Sequence, residues 1–130
     1  MITSVPGSSL YFLGGIIAYS NDAKKKLLGV RPETIERHGA VSAETAVEMA
    51  EGVRKRFRST VGVSITGIAG PGGSTARKPV GTVFICVAAG GRGVKPMVRK
   101  FLFSGTRKEI KRRSATAALS YLALIIEERL

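Results

Sequence analysis

The apolar positions of this chain recur with two different spacings. Val61, Val63 and Ile65 alternate with small or polar residues, the period-2 pattern of a strand with one buried face. From Val80 to Ala89 the chain is almost continuously apolar, which predicts a strand buried on both faces. Gly90-Gly91-Arg92-Gly93 is a hairpin signal, so Val94 to Phe103 is expected as the antiparallel partner. Gly14 to Tyr19 reads as a further short strand, approached through two glycines.

The helical spacing appears elsewhere. Ala46, Val47, Ala50, Val53 and Phe57 follow the N-cap Ser42 at i, i+4, i+7 intervals and predict a helix over roughly 43–58. Its glutamates (Glu44, Glu48, Glu51) come early and its cations (Arg54, Lys55, Arg56, Arg58) late, which complements the helix dipole. Ser20-Asn21-Asp22 offers caps for a short helix that stops at Gly29, and Arg31-Pro32-Glu33 opens another turn or helix closed by Gly39. Thr106 and Glu109 form a capping box at the head of a last helix of about 20 residues. Its inner stripe is Ile110, Ala117, Ala118, Tyr121, Leu122 and Ile125. No internal repeat, linker or low-complexity tract interrupts the series. The expected fold is therefore α/β, one domain over residues 1–130, with helices on both faces of a small mixed sheet.

Composition narrows the picture. In 130 residues, 44% hydrophobic and 23% charged, disorder is excluded as the main state. No apolar run reaches the ~18 residues of a membrane helix, and no basic n-region with an apolar stretch opens the chain. A single cysteine, Cys86, and a single histidine, His38, exclude a disulfide framework, a multi-cysteine zinc site and a His-rich metal centre. Cys86 reads as core and His38 as a helix-end residue. These features predict a cytoplasmic protein without metal or cofactor. The formal charge is +12, from 21 Lys and Arg against 9 Asp and Glu, and will attract anions of any kind. Aromatics are 6% with no Trp, the cations are scattered, and no nucleic-acid-binding motif is present, so nucleic acid is the disfavoured partner.

Two segments offer chemistry. The loop 67–79 holds four glycines and two prolines and ends in Arg77-Lys78, so its N–H groups can cradle an anion. It is neither a Walker A loop nor a dinucleotide fingerprint, since no Gly-Lys-Ser/Thr ends it and a strand follows. It reads equally as a surface connection between strands. Tyr19, Ser20, Asn21 and Lys24 stand where a strand meets a helix, the edge at which open α/β sheets bind ligands. A lysine there can act as general base if burial lowers its pKa. The same residues also read as a capped helix followed by the solvated cluster Lys24-Lys25-Lys26. Arg107 follows the last strand directly, within reach of a pocket at the strand end.

Several longer motifs carry a resemblance: Val5-Pro-Gly-Ser-Ser9, Gly14-Gly15, Ala18-Tyr19-Ser20-Asn21 with Lys24, Leu28-Gly29-Val30, His38-Gly39-Ala40-Val41-Ser42, Thr66-Gly67-Ile68-Ala69-Gly70-Pro71, Lys78-Pro79-Val80-Gly81-Thr82-Val83 and Phe103-Ser104-Gly105 with Arg107. In this order the chain resembles, along its whole length, the C-terminal domain of the competence/damage-inducible protein CinA. The stand-alone form of that domain is nicotinamide-nucleotide amidase. The resemblance implies a three-layer α/β/α sandwich and hydrolysis of nicotinamide mononucleotide to nicotinic acid mononucleotide and ammonia. It implies Tyr19 and Lys24 as the groups that activate a serine nucleophile. It also implies a substrate site lined by Ser20, Asn21, the Thr66-Gly67…Gly70 loop, Lys78 and Arg107.

The departures bear on chemistry. The family's serine lies in a Glu-Ser-Cys-Thr-Gly-Gly segment before the position of Met1, and no such segment occurs here. The chain is thus expected to lack the first strand and part of the first helix, and to be inactive because covalent acyl transfer has no attacking atom. The family's Gly-Asp-Arg motif has Thr106 in place of its aspartate, and Lys111 replaces a later arginine. A catalytically dead binder of nucleotides or phosphates is the alternative reading. An uncovered sheet edge invites a second chain, so a homo-oligomer is expected.

Overall fold

A computed structural model describes residues 1–129 of the chain. Two short 3-10 turns (Ile2–Ser4 and Ser8–Leu10) precede an extended stretch. Then follow α1 (Asn21–Leu28), α2 (Pro32–His38), α3 (Ala43–Phe57), β1 (Val61–Gly67), β2 (Thr82–Ala89), β3 (Met97–Leu102) and α4 (Arg107–Arg129). The strands form one antiparallel sheet in the order β1-β2-β3. Val63 sits opposite Val87 in the first ladder, and Val83 opposite Phe101 in the second.

The two faces of β2 explain its unbroken apolar sequence. Cys86 and Ala88 pack with Ala46 and Ala50 of α3, while Val83 and Ile85 pack with Ile110 and Ala118 of α4. α3 and α4 therefore cover opposite faces of the sheet, and α1 and α2 pack on α3. This is the α/β/α layering expected from the sequence.

Local chemistry sets the element ends. Ser20 Oγ accepts from the Ala23 N–H at 3.0 Å to start α1, and Ser42 Oγ accepts from the Thr45 N–H at 3.1 Å to start α3. α3 closes at Phe57 because Arg58 turns left-handed, with φ 53°. The capping box at α4 is complete: Glu109 N–H donates to Thr106 Oγ1 and Thr106 N–H to Glu109 Oε1, both at 3.2 Å. β2 begins at Thr82 rather than Val80. Gly81 there has φ 95°, and a Cβ on it would lie 1.9 Å from the Phe103 carbonyl oxygen.

One predicted strand differs. Residues 14–19 show the alternating burial of a strand, but among the described residues they join no ladder, so the described sheet is antiparallel throughout rather than mixed. They lie on the helices instead: Ile16 and Ala18 pack against the Leu28, Val30 and Met49 cluster.

α3 approaches its neighbours closely. A Cβ on Gly52 would stand 1.8 Å from the backbone oxygen of Leu28. Gly52→Ala must force α1 away, which we expect to destabilise the fold by about 1–3 kcal/mol, the usual cost of overpacking. Gly72→Ala, which meets no atom within 4 Å, is the control. Thermal denaturation followed by circular dichroism checks both, and equal midpoints would refute the close approach.

Candidate active site

Four α3 contacts orient the candidate site. A Cβ on Gly14 would strike Phe57, at the C-terminal end of α3, and Ala18 lies further back along the helix in the cluster with Met49. A Cβ on Gly62 of β1 would strike the Ala50 carbonyl, Ser64 Oγ donates to the Ala46 carbonyl, and Thr66 Oγ1 donates to the Ala40 carbonyl at 2.6 Å. Residues 14–19 and β1 therefore both run against α3. Both run antiparallel to it, and β1 ends beside its N-terminus, the kind of strand end favoured for ligands.

Lys24, on α1 after residues 14–19, is the unusual group. It is 7% exposed, and its ammonium donates to the carbonyl oxygens of Ala18 at 3.1 Å and Tyr19 at 3.4 Å. No carboxylate pairs with it among the described residues, since Asp22 pairs with Lys26 at 3.1 Å instead. Burial pushes the Lys24 pKa below its ordinary value. Asn21 opens α1, and the Ser20 hydroxyl is engaged as its cap. The Tyr19 side chain is 82% exposed; it is the Tyr19 carbonyl, not the phenol, that meets Lys24.

The glycine-rich loop forms the second part. Gly67 ends β1, where a Cβ would come within 2.7 Å of Val83. Arg107, the first residue of α4, donates to the Gly70 carbonyl at 2.9 Å, which ties the loop to the helix start. Lys78 turns toward α2 and donates to the His38 carbonyl at 2.6 Å. Thr45 Oγ1 and Ser42 Oγ donate to the neighbouring Gly39 carbonyl. The structure thus joins Gly70 to Arg107, and brings Thr66 and Lys78 to the same turn at residues 38–40. No hydrogen bond among those described links these residues to Lys24.

Sequence reading missed the turn at 38–40, whose carbonyls anchor Lys78, Thr45 and Thr66. Backbone oxygens carry no residue signature, so only the hydroxyl residues around them hinted at it. It also missed Glu48 as a junction: burial raises its pKa, but hydrogen bonds from Arg31 and Thr34 outweigh that and hold it low. Broad surface concavities of about 700 and 520 Å³ lie between α2 and α3 and between α1 and α3. None of the candidate residues lines either. Cys86 is no alternative nucleophile, because burial and then the charge of Glu51 push its thiol up to about 12. Among the described residues no group of three His, Cys, Asp or Glu could hold a metal ion, and no helix is long and apolar enough to cross a membrane.

A family model described as the CinA C-terminal domain matches residues 1–126. The chain belongs to the CinA C-terminal domain family. A CinA-like protein of Thermosynechococcus vestitus is 61% identical over 107 residues, covering 82% of this chain and 25% of that protein. A putative competence-damage inducible protein of Clostridioides difficile is 46% identical over 127 residues, covering 98% and 30% respectively. The chain thus spans under a third of these curated relatives. Among solved structures, the competence/damage inducible protein CihA of Agrobacterium tumefaciens is 40% identical with a TM-score of 0.89, covering 95% of this chain and 74% of that one. The competence damage-inducible protein A of Klebsiella pneumoniae superposes with a TM-score of 0.92 at 25% identity, covering 99% and 78%.

The Lys24 environment has a testable consequence. The folded pKa lies below the unfolded one, near 10.5, so the fold favours the neutral amine. Stability is therefore reduced while Lys24 is charged, and recovers as pH rises from the folded pKa through the unfolded value. Relative to Lys24→Met, the wild-type chain should gain stability between neutral pH and pH ~10. Urea titrations of both proteins across that range measure the difference, and a pH-independent difference would refute the assignment.

Proposed function

We propose that this chain supplies the lysine side of an amide-hydrolysing site for a pyridine mononucleotide, with nicotinamide mononucleotide as substrate. The carrying observation is Lys24, a buried amine that two carbonyls hold and that has no carboxylate partner among the described residues. A lysine whose proton is loosened by burial can act as a base near neutral pH. The family membership of the chain and its Tyr19-Ser20-Asn21…Lys24 motif support the same reading.

In this reading a serine oxygen attacks the carboxamide carbon while its proton passes to the Lys24 amine. The proton then leaves with the amide nitrogen as ammonia, and water hydrolyses the resulting ester. Tyr19 orients Lys24 or relays the proton. The start of α4 with Arg107 and the N–H groups of the 67–79 loop receive the phosphate. The Glu-Ser-Cys-Thr-Gly-Gly segment is not among these 130 residues, so the chain by itself is inactive and keeps the binding half of the site. A phosphate- or nucleotide-binding role without catalysis is the second reading. It is favoured by the Arg107–Gly70 link, which organises the loop whether or not a nucleophile is present.

We expect no ammonia release from nicotinamide mononucleotide by the 130-residue chain, and turnover of ~1 per second or more would overturn that. Placing the serine segment ahead of Met1 should create activity, which Lys24→Ala should then abolish. Calorimetry should give a dissociation constant of ~0.1–1 mM for the nucleotide, weakening as salt rises. Equal affinity for plain phosphate would mean that only charge is read. Much tighter binding of RNA or DNA would reject both readings.

A further inference from the structure

The glycine-rich loop is tied at several points. Its root continues the β1–β2 ladder: the Ile68 N–H donates to the Thr82 carbonyl at 2.9 Å, and the Gly81 N–H to the Ile68 carbonyl at 2.8 Å. Beyond the root, Arg107 of α4 holds the Gly70 carbonyl. Lys78 Nζ donates to the carbonyl of His38, the last residue of α2, at 2.6 Å. Residues 71–77, between these two ties, are all exposed, whereas Lys78 is half-buried.

Both partners favour the tie at Lys78. The C-terminal end of a helix presents carbonyls without a partner inside the helix, and a lysine suits it by hydrogen bonding and by charge. The ammonium lies close over Gly39, 3.4 Å from where a Cβ would stand. Within the loop, the Lys78 N–H donates to Thr75 Oγ1 at 3.1 Å, and the Thr75 N–H to the Lys78 carbonyl at 2.9 Å. Residues 75–78 are therefore a closed turn that Lys78 carries with it. The next carbonyls of the 38–40 turn take the hydroxyls of Ser42, Thr45 and Thr66. Thr66 immediately precedes the loop and Lys78 nearly ends it, so both ends are fastened to one turn.

An ammonium engaged in this way serves the loop rather than a ligand. The four glycines in residues 67–79 raise the entropy lost on ordering, since glycine has the most backbone freedom to lose. A loop ordered in advance spares its ligand that loss. We propose that Lys78 is a positioning residue. It fixes the exposed 71–77 span against the end of α2, so that the N–H groups of the loop are ordered before an anion arrives. The role rests on the anion binding proposed above for the loop. It differs from what the resemblance implies, which is a substrate contact at Lys78.

Lys78→Met keeps the stem and removes the donor. NMR titrations of the 130-residue chain with nicotinamide mononucleotide and with inorganic phosphate, at about 0.05 and 0.25 M salt, separate direct charge contacts from positioning, because only the former are screened. Lys78→Met should weaken nucleotide binding about three- to tenfold at both salt concentrations, the usual effect of leaving a few residues to be ordered by the ligand. Arg77→Met removes the same charge from an exposed neighbour, and its effect should fade at the higher salt. Backbone order parameters of the ligand-free proteins provide a second readout. Residues 72–77 should stand near ~0.85 in the wild type and fall to ~0.6 or below in Lys78→Met, with the β1–β2 ladder unchanged as proof of an intact fold. A loss of affinity confined to low salt means that Lys78 meets the charge of the ligand, and overturns the proposal. Order parameters indifferent to Lys78→Met also overturn it. If the wild-type chain binds neither probe, the nucleotide reading fails instead, and the order parameters alone decide whether Lys78 holds the loop.

Discussion

The close approach of α3 to everything around it is the constraint on which the structure depends. Where α3 meets β1 and β2 the buried side chains are Ala46, Ala50, Ser64, Cys86 and Ala88, with Val47 and Phe84 half-buried against them and Gly62 under the Ala50 carbonyl. Where it meets α1 the contact is Gly52 against the Leu28 backbone. Such small residues bury little apolar area each, so this layer gains from close packing rather than from large side chains. The opposite layer works the other way. Val83, Ile85 and Ile110 fill it, and each large aliphatic contributes about 1.5–3 kcal/mol when buried. The α4 face can therefore lose a methylene and relax, whereas the α3 face has no room to gain one. Its spacing also decides where residues 14–19, β1 and the turn at 38–40 end, and hence where Lys24 and Thr66 stand.

Helices and strands were legible in the sequence because their periods and caps are local. Ser42, Thr106 with Glu109, and the apolar run of β2 each specify their element without help from elsewhere. Residues 14–19 show the limit of that logic. Their composition predicts a strand and their burial alternates as in one, yet a ladder is a property of two segments, and composition reports on one. The separation of large and small apolar faces on β2 was likewise invisible, since alternate positions in an all-apolar run look alike until helices are placed on them.

The candidate site was legible as motifs and not as contacts. Lys24, Thr66, Gly70 and Arg107 were singled out, but the sequence could not say that Arg107 would reach the Gly70 carbonyl or that Lys78 would turn to His38. Both cations donate to backbone oxygens, and a backbone oxygen is present at every position. This division also changes their roles. Charge that holds a loop in shape is partly used before any ligand arrives, so the free backbone N–H groups of the loop and of the α4 start are the more available anion donors.

Three consecutive lysines show how position, not residue type, creates a reactive group. Lys25 is exposed on α1. Lys26 lies one turn after Asp22 and pairs with it at the surface, a contact worth only about 0.3–0.5 kcal/mol. Lys24 points inward, where its ammonium finds carbonyl oxygens but, among the described residues, no carboxylate. Those carbonyls favour the charged form and burial disfavours it; burial prevails, because neutral dipoles replace lost water less well than an anion would. The Asp22–Lys26 pair thus matters more for what it withholds than for what it stabilises. A carboxylate turned toward Lys24 would fix its proton and end its use as a base, and α1 instead spends its one acid on the solvent side of the helix.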